Sequence, residues 1–187
     1  MIEAINAQNQ GDGNQWRLRK ALSGGGALPD VGIYCLNAAR AVTGEEPVEI
    51  EAQLHSTPDD PRFREVEEGV SWLMRFPSGA LANLSTSYGM HRASRLAVHL
   101  DGGGLKLENA FPYKGQRLLQ VRAQDGLETE SFIQIGQKDH FASEMDHMAD
   151  CVIKGKTPRT PGEEGLRDMK LIEAIYRAAA DRVSVKV

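Results

Sequence analysis

Asp30 and Tyr34 stand four positions apart in the stretch Gly24-Gly25-Gly26-Ala27-Leu28-Pro29-Asp30-Val31-Gly32-Ile33-Tyr34. On a helix that spacing puts both side chains on one face. A carboxylate and a phenol that converge there can bind a sugar hydroxyl and pass its proton. A phenol titrates near ~10 in water, so Tyr34 needs a nearby cation before it can act as a base near neutrality. No lysine in this stretch supplies one. The glycines ahead of the helix let a ligand approach the backbone and aim free amides at it. A purely architectural role stands beside this one: Asp30 complementing the helix macrodipole, and Tyr34 half-buried against a core.

Other constellations carry less. His140, Glu144 and His147 fall at i, i+4 and i+7 of a predicted helix and could present three metal ligands. The same spacing arises by chance on a solvated helix face, and no supporting groups are evident, so no metal site is expected. A dinucleotide fingerprint needs a strand, a GxGxxG turn opening a helix, and an acidic residue beyond it. Gly24-Gly25-Gly26 has the wrong spacing, and Gly102-Gly103-Gly104 lies between predicted strands. No P-loop and no GxSxG occurs. Asn83-Leu84-Ser85 matches a glycosylation pattern but falls within a predicted strand. Cys35, next to Tyr34, reads as a small buried hydrophobe rather than a nucleophile.

The elements that must hold Asp30 and Tyr34 follow from hydrophobic periodicity. Leu28, Val31, Leu36, Ala39 and Val42 recur at helical intervals, and Gly44 and Pro47 stop that helix. Residues 2–8 give a weak strand pattern. Val48 to His55 alternates apolar and polar residues, as a half-buried strand does. Further strands are predicted at 70–76, 80–88, 94–100, 105–109, 117–123 and 128–135, joined as hairpins by turns rich in Gly, Asp, Ser and Pro. A helix from about Asp139 to Ile153 ends at Gly155. A last one starts at Thr160, read as the N-cap with Pro161 at the first helical position and Glu163 closing a capping box. Consecutive hairpins with segregated helices predict an α+β fold: an open, mainly antiparallel sheet with helices packed on one face. The second face, carrying Ser71, Leu73 and Arg75, must be wet or paired with another subunit.

With 187 residues the chain reads as a single domain, 1–187, large enough for a core without disulfides or metal. A net charge of -4 gives no electrostatic reason to expect nucleic acid or an acidic membrane as partner. Two cysteines far apart, with no CxxC pair, suit a reducing compartment, so a cytoplasmic location is expected. No signal peptide is visible, and no apolar run approaches a membrane span.

Several pieces taken in order give a family resemblance: Trp16-Arg17-Leu18, the 24–34 stretch, Gly44-Glu45-Glu46-Pro47 and Glu65-Val66-Glu67. They continue with Met74-Arg75-Phe76, Ser78-Gly79-Ala80-Leu81, Pro161-Gly162-Glu163-Glu164-Gly165 and Ile172-Glu173-Ala174-Ile175-Tyr176. Over nearly its whole length the chain resembles the C-terminal domain of the Gfo/Idh/MocA oxidoreductases, most closely glucose–fructose oxidoreductase and its relatives. The resemblance implies a two-domain NAD(P)-dependent sugar or polyol oxidoreductase whose Rossmann half, in cis or in trans, holds the cofactor. It implies that Asp30 and Tyr34 are catalytic, that Tyr113 lies near the substrate, and that Trp16 and Arg17 face the nicotinamide cleft. It also implies a homodimer formed through the open sheet face. The family's Glu-Lys-Pro lysine is not in this sequence, so the chain alone is expected to hold neither NAD nor NADP and to be inactive without its Rossmann half. The rival expectation is a non-catalytic sugar-binding or assembly module.

Overall fold

Strands with alternating side chains form the sheet that frames this protein. The computed structural model describes residues 1–136 and 138–187. The strands are β1 (Ile2–Asn9), β2 (Glu49–His55), β3 (Gly69–Arg75), β4 (Leu81–Ser87), β5 (Gly89–Leu100), β6 (Gly103–Glu108), β7 (Arg117–Gln124), β8 (Leu127–Ile133) and β9 (Val185–Lys186). They form one sheet in the order β8-β7-β6-β5-β1-β4-β3-β2-β9. Every described pairing is antiparallel except β1 with β4. The expected α+β architecture is therefore present, with one parallel pair at its centre. That pair is made by the strand with the weakest sequence pattern. β1 sits between β4 and β5, and Ile2, Ala4 and Ala7 are buried there.

The helices α1 (Lys20–Ser23), α2 (Ile33–Thr43), α3 (His140–Lys154) and α4 (Gly162–Asp181) complete the fold. Leu36 and Ala39 of α2, with Leu171, Ile172, Ile175 and Ala178 of α4, pack on Ile50, Val70, Trp72, Met74, Ala82 and Leu84 of the sheet. On the opposite face Ser71, Arg75 and Asn83 are exposed, and Leu73 and Ser85 are partly so. A buried ion cluster joins the two packed helices. Arg40 of α2 binds Glu46 through two nitrogens at 2.7 and 2.8 Å, Asp168 at 2.6 Å and Glu164 at 2.7 Å. Arg167 and Arg40 hold the Glu164 carboxyl below its usual range, whereas burial outweighs the arginine at Asp168 and pushes that carboxyl up.

Gly44 and Gly155 terminate α2 and α3 in the left-handed conformation, as expected. The start of α4 differs from expectation. Its N-cap is Pro161, and no side chain caps it, so Thr160 does not play that part. A proline ring fixes a backbone angle suited to either position, which is why the sequence reading was shifted by one residue.

α3 is amphipathic in an inverted sense. Its face toward the rest of the molecule carries Ser143, Glu144, His147 and the buried Cys151. Its apolar stripe of Phe141, Met145, Met148 and Val152 is more than half exposed at each position.

Candidate functional site

Asp30 and Tyr34 are held by a turn that is wider than an α-helix. Leu28–Gly32 forms a π turn, with the Ile33 amide bonding back to the Leu28 carbonyl, before α2 begins at Ile33. Such widened turns recur at functional sites because they re-aim side chains that a regular helix would space evenly. A small apolar cluster of Leu18, Ala27, Val31, Phe63, Val66 and Tyr88 underlies the turn, apart from the main core.

The glycines preceding the turn behave differently from the expectation of a ligand cradle. The amides of Gly26 and Leu28 both donate to the Glu67 carboxylate, at 2.9 and 3.0 Å, and the Tyr176 hydroxyl donates to it at 3.0 Å. A Cβ on Gly25 would collide with the Tyr176 hydroxyl, and one on Gly26 with the Glu67 carbonyl. Gly25 and Gly26 are thus required by close packing within the chain, and the Gly26 and Leu28 amides are taken by Glu67 rather than free for a ligand phosphate.

None of the five residues singled out from the sequence is buried: Trp16, Tyr34 and Tyr113 are exposed, and Arg17 and Asp30 are partly so. The Trp16 and Arg17 side chains come from a 3-10 turn, Trp16–Leu18, with the guanidinium 4.6 Å from the centre of the indole ring. Arg17 Nε donates to Asp30 Oδ2 at 3.1 Å. The Tyr113 phenol and the Asp30 carboxylate both act on the Tyr34 hydroxyl electrostatically. Tyr113 projects from the loop between β6 and β7. Asn109 braces that loop by donating to the Lys114 carbonyl at 2.9 Å, and Gln116 by donating to the Pro112 carbonyl. Tyr34 packs against Phe111 with ring centres 6.1 Å apart, and Tyr113 against Phe141 at 4.9 Å. Trp16, Tyr34 and Tyr113 are 52%, 45% and 57% exposed, so none is sealed in the core.

Burial, the Tyr113 phenol and the Asp30 carboxylate all push the Tyr34 hydroxyl above its ordinary titration range, in that order of size. Within this chain Tyr34 is a proton donor at neutral pH. A positive charge from outside the chain would have to lower it before it could accept a proton.

The site opens onto an exposed face rather than into a closed hollow. Two large hollows lie elsewhere. One of about 730 Å³ sits among β2, β3 and the end of α4, beside Trp72, Ala178 and Arg182. One of about 790 Å³ lies between α3 and the β6–β7 side, beside His140, Glu144 and Arg159. Asp30, Tyr34 and Tyr113 line neither. His140, Glu144 and His147 do not converge. The His140 ring sits edge-on to Tyr113, and His147 Nε2 accepts the Arg159 amide at 2.9 Å. Among the described residues no group of three His, Cys, Asp or Glu side chains is arranged to hold a metal. No described helix is long and apolar enough to cross a membrane.

Sequence reasoning missed two residues here. Tyr88, fully buried, donates its hydroxyl to Asp30 Oδ2 at 2.5 Å. A tyrosine continuing the core-facing series Ala82, Leu84, Thr86 carried the signal, since a buried phenol needs a polar partner. Glu67 stood only as part of a motif, and nothing local marks it as the acceptor for a turn 39 to 41 positions away.

Comparison with known proteins places this arrangement. The GFO/IDH/MocA C-terminal domain profile matches residues 1–106. A D-xylose 1-dehydrogenase [NADP(+)] of Haloarcula marismortui is 31% identical over 177 residues, covering 94% of this chain and 48% of that protein. The chain thus spans about half the length of the curated relatives it matches. The crystal structure of aldose-aldose oxidoreductase from Caulobacter crescentus, complexed with glycerol, superposes with a TM-score of 0.91 at 39% identity, over 100% of this chain and 55% of that one. Levoglucosan dehydrogenase in complex with NADH and L-sorbose shares the fold, with a TM-score of 0.84 at 19% identity over 100% of this chain and 57% of that one.

Proposed function

This chain belongs to the GFO/IDH/MocA family, as its C-terminal domain, and on that footing we propose that residues 1–187 act as one substrate-binding and dimerisation domain of an NAD(P)-dependent sugar or polyol oxidoreductase. The observation that carries the reading is that Asp30, tied to Arg17 and through it to Trp16, and the exposed Tyr34 and Tyr113 are all left accessible on this chain. The set is polar where a hydroxylated substrate needs hydrogen bonds and aromatic where a sugar ring needs a flat wall.

NAD or NADP, bound by a second, Rossmann-type layer in cis or in trans, supplies the hydride acceptor or donor. Trp16 and Arg17 are the residues of this chain that would flank its nicotinamide end. In the glycine turn the Gly26 and Leu28 amides are occupied by Glu67, so those two offer the rest of the dinucleotide no phosphate donor. Asp30 accepts a hydrogen bond from the substrate hydroxyl and orients it. Tyr34 takes that hydroxyl's proton during oxidation, or returns it during reduction, once a cation of the second layer lowers its titration range. Tyr113 holds the far side of the substrate.

Two features support the second layer. The site is open to water on this chain, and hydride chemistry needs water excluded. The α3 stripe of Phe141, Met145, Met148 and Val152 begins at the Tyr113–Phe141 contact and is more than half exposed at each position among the described residues, so it offers a docking surface continuous with the site. The sheet face carrying Leu73 and Ser85 is the surface proposed for the homodimer. Two free, buried cysteines are in keeping with a cytoplasmic setting, and the net charge of -4 with no call for nucleic acid or a membrane as partner.

The test compares two polypeptides: this chain, and the same chain with any coding sequence lying in frame before Met1 at its locus. Both are assayed with D-xylose and D-glucose for appearance of reduced nicotinamide, with sugar and NADP(+) binding measured by calorimetry. Turnover by the longer polypeptide alone is expected. Turnover by this chain alone removes the need for a second layer. Sugar binding by the longer polypeptide without dinucleotide binding or turnover replaces the enzyme with a non-catalytic sugar-binding module.

A further inference from the structure

Asp30 Oδ2 accepts two hydrogen bonds, from Tyr88 Oη at 2.5 Å and from Arg17 Nε at 3.1 Å. Asp30 Oδ1 accepts none from the described residues. Two donors on one oxygen fix the plane of the carboxylate, because rotation about its terminal bond would break both at once. The two donors differ in rigidity. Arg17 is on the exposed side and stacks on the exposed Trp16. Tyr88 is 0% exposed, with its ring among Leu18, Ala27, Val31, Phe63 and Val66. Its backbone is tied on both sides: its amide donates to the Glu68 carbonyl at 2.7 Å, and its carbonyl accepts the Gln10 amide at 2.8 Å. The hydroxyl therefore cannot follow Asp30 if Asp30 moves.

We infer that Tyr88 is a positioning residue for Asp30, locking the carboxylate so that a single oxygen, Oδ1, is presented to the substrate hydroxyl. The inference rests on the proposed substrate-facing role of Asp30. Burial, together with the carboxylate it touches, pushes the Tyr88 hydroxyl well above the ordinary phenol range, so it remains a donor at every pH at which the protein would work. One consequence concerns selectivity. A carboxylate free to turn can serve hydroxyls on either side, whereas one with Oδ2 spent accepts from one direction only. The lock makes Asp30 a reader of hydroxyl stereochemistry as well as a hydrogen-bond partner.

The kinetic test is a double-mutant cycle in the polypeptide that carries the cofactor-binding half, using Tyr88→Phe, Asp30→Ala and both together. Tyr88→Phe keeps the buried ring, and thermal melting confirms that the fold survives. It is expected to lower kcat/KM by about ten- to a hundredfold, the range for removing one donor from a charged acceptor. In the Asp30→Ala background the same change is expected to cost nothing further. An unchanged kcat/KM for Tyr88→Phe, or an equal loss in both backgrounds, overturns the positioning role while leaving Asp30 functional. An Asp30→Ala variant of full activity overturns the reading of Asp30 and the inference with it.

A structural arm needs only the 187-residue chain. Proton NMR should show one deshielded hydroxyl proton protected from exchange, lost in Tyr88→Phe and equally in Asp30→Ala. Its persistence in Asp30→Ala overturns the assignment.

Discussion

Glu67 gives the sharpest test of how the candidate site is built. Its carboxylate takes the Gly26 and Leu28 amides at 2.9 and 3.0 Å and the Tyr176 hydroxyl at 3.0 Å. Changing Glu67 to Ala leaves all three donors without an acceptor in a place where Gly25, Gly26 and Leu28 are buried. A hydrogen bond to a charged group contributes about 1.5–3 kcal/mol, and the three share one acceptor that water can partly replace. The expected loss is therefore about 3–5 kcal/mol rather than the sum of three full bonds. For a chain of this size each kcal/mol moves the melting temperature by ~2–4 °C, so Glu67→Ala should melt roughly 6–20 °C lower. Glu67→Gln keeps one acceptor oxygen and turns an N–H toward a second donor, and should lie about midway. Urea unfolding followed by circular dichroism measures the loss, with an unchanged m-value showing that the transition remains comparable. Tyr176→Phe should cost about 1.5–3 kcal/mol in the wild-type protein and almost nothing in the Glu67→Ala background. A Glu67→Ala loss below about 1 kcal/mol, or full additivity with Tyr176→Phe, would refute the clamp and return the glycine amides to the pool of ligand donors.

The same geometry makes four further predictions. Tyr34, Tyr88 and Tyr176 are all pushed above the ordinary phenol range, burial being the first cause in each. The unfolded chain therefore gives up these protons first, and stability should fall as pH climbs through about 10, less steeply in Tyr34→Phe; a rise in melting temperature over that window contradicts it. In a polypeptide carrying the proposed cofactor-binding half, Tyr34→Phe should also lower turnover and flatten its pH profile, and unchanged turnover across pH removes Tyr34 from the proton path. Met145→Glu with Met148→Glu should leave the stability of this chain within about 0.5 kcal/mol of wild type, because both side chains are exposed, while weakening its hold on the cofactor-binding layer; destabilisation of the chain alone would show the stripe to be packed within it. Burial pushes the Cys35 thiol up to about 12, so a thiol-specific disulfide reagent should leave it unmodified until the protein unfolds, and rapid reaction under native conditions contradicts the buried placement.

Much of the sheet was legible because half-buried strands announce themselves. Ile50, Ala52 and Leu54 alternate with Glu49, Glu51 and Gln53, and β2 forms where they do. The central strand was the hardest to read, because β1 owes its place to partners on both sides rather than to its own residues. Asn6 interrupts its apolar series, and the carboxamide is accommodated only because it donates to the Val31 carbonyl at 3.0 Å. Asp30 and Tyr34 were visible as a pair because only four positions separate them. The groups that fix Asp30 were not, since Tyr88 lies 58 positions away and becomes its neighbour only when β4 pairs with β1.

The motifs that identified the family are mostly its joints. Glu46 and Glu164, from Gly44-Glu45-Glu46-Pro47 and Pro161-Gly162-Glu163-Glu164-Gly165, meet on Arg40 and bolt α2 to α4. Glu45 accepts the Ser78 hydroxyl at 2.8 Å and so ties that corner to the β3–β4 turn. Glu67 and Tyr176, from two further motifs, close on the glycine turn, and Glu65 accepts the Lys20 amide at 3.1 Å beside it. These carboxylates look catalytic in sequence, being acidic and set among glycines. In three dimensions each is consumed by a cation, a hydroxyl or a backbone amide of its own chain. Among the described residues Asp30 Oδ1 accepts no hydrogen bond, whereas both oxygens of Glu65 and of Glu67 do, and Tyr34 stays exposed. A resemblance built from such joints is strong grounds for the fold and weak grounds for chemistry. The case for chemistry therefore leans on Asp30, whose hydrogen-bonding capacity the fold leaves half used.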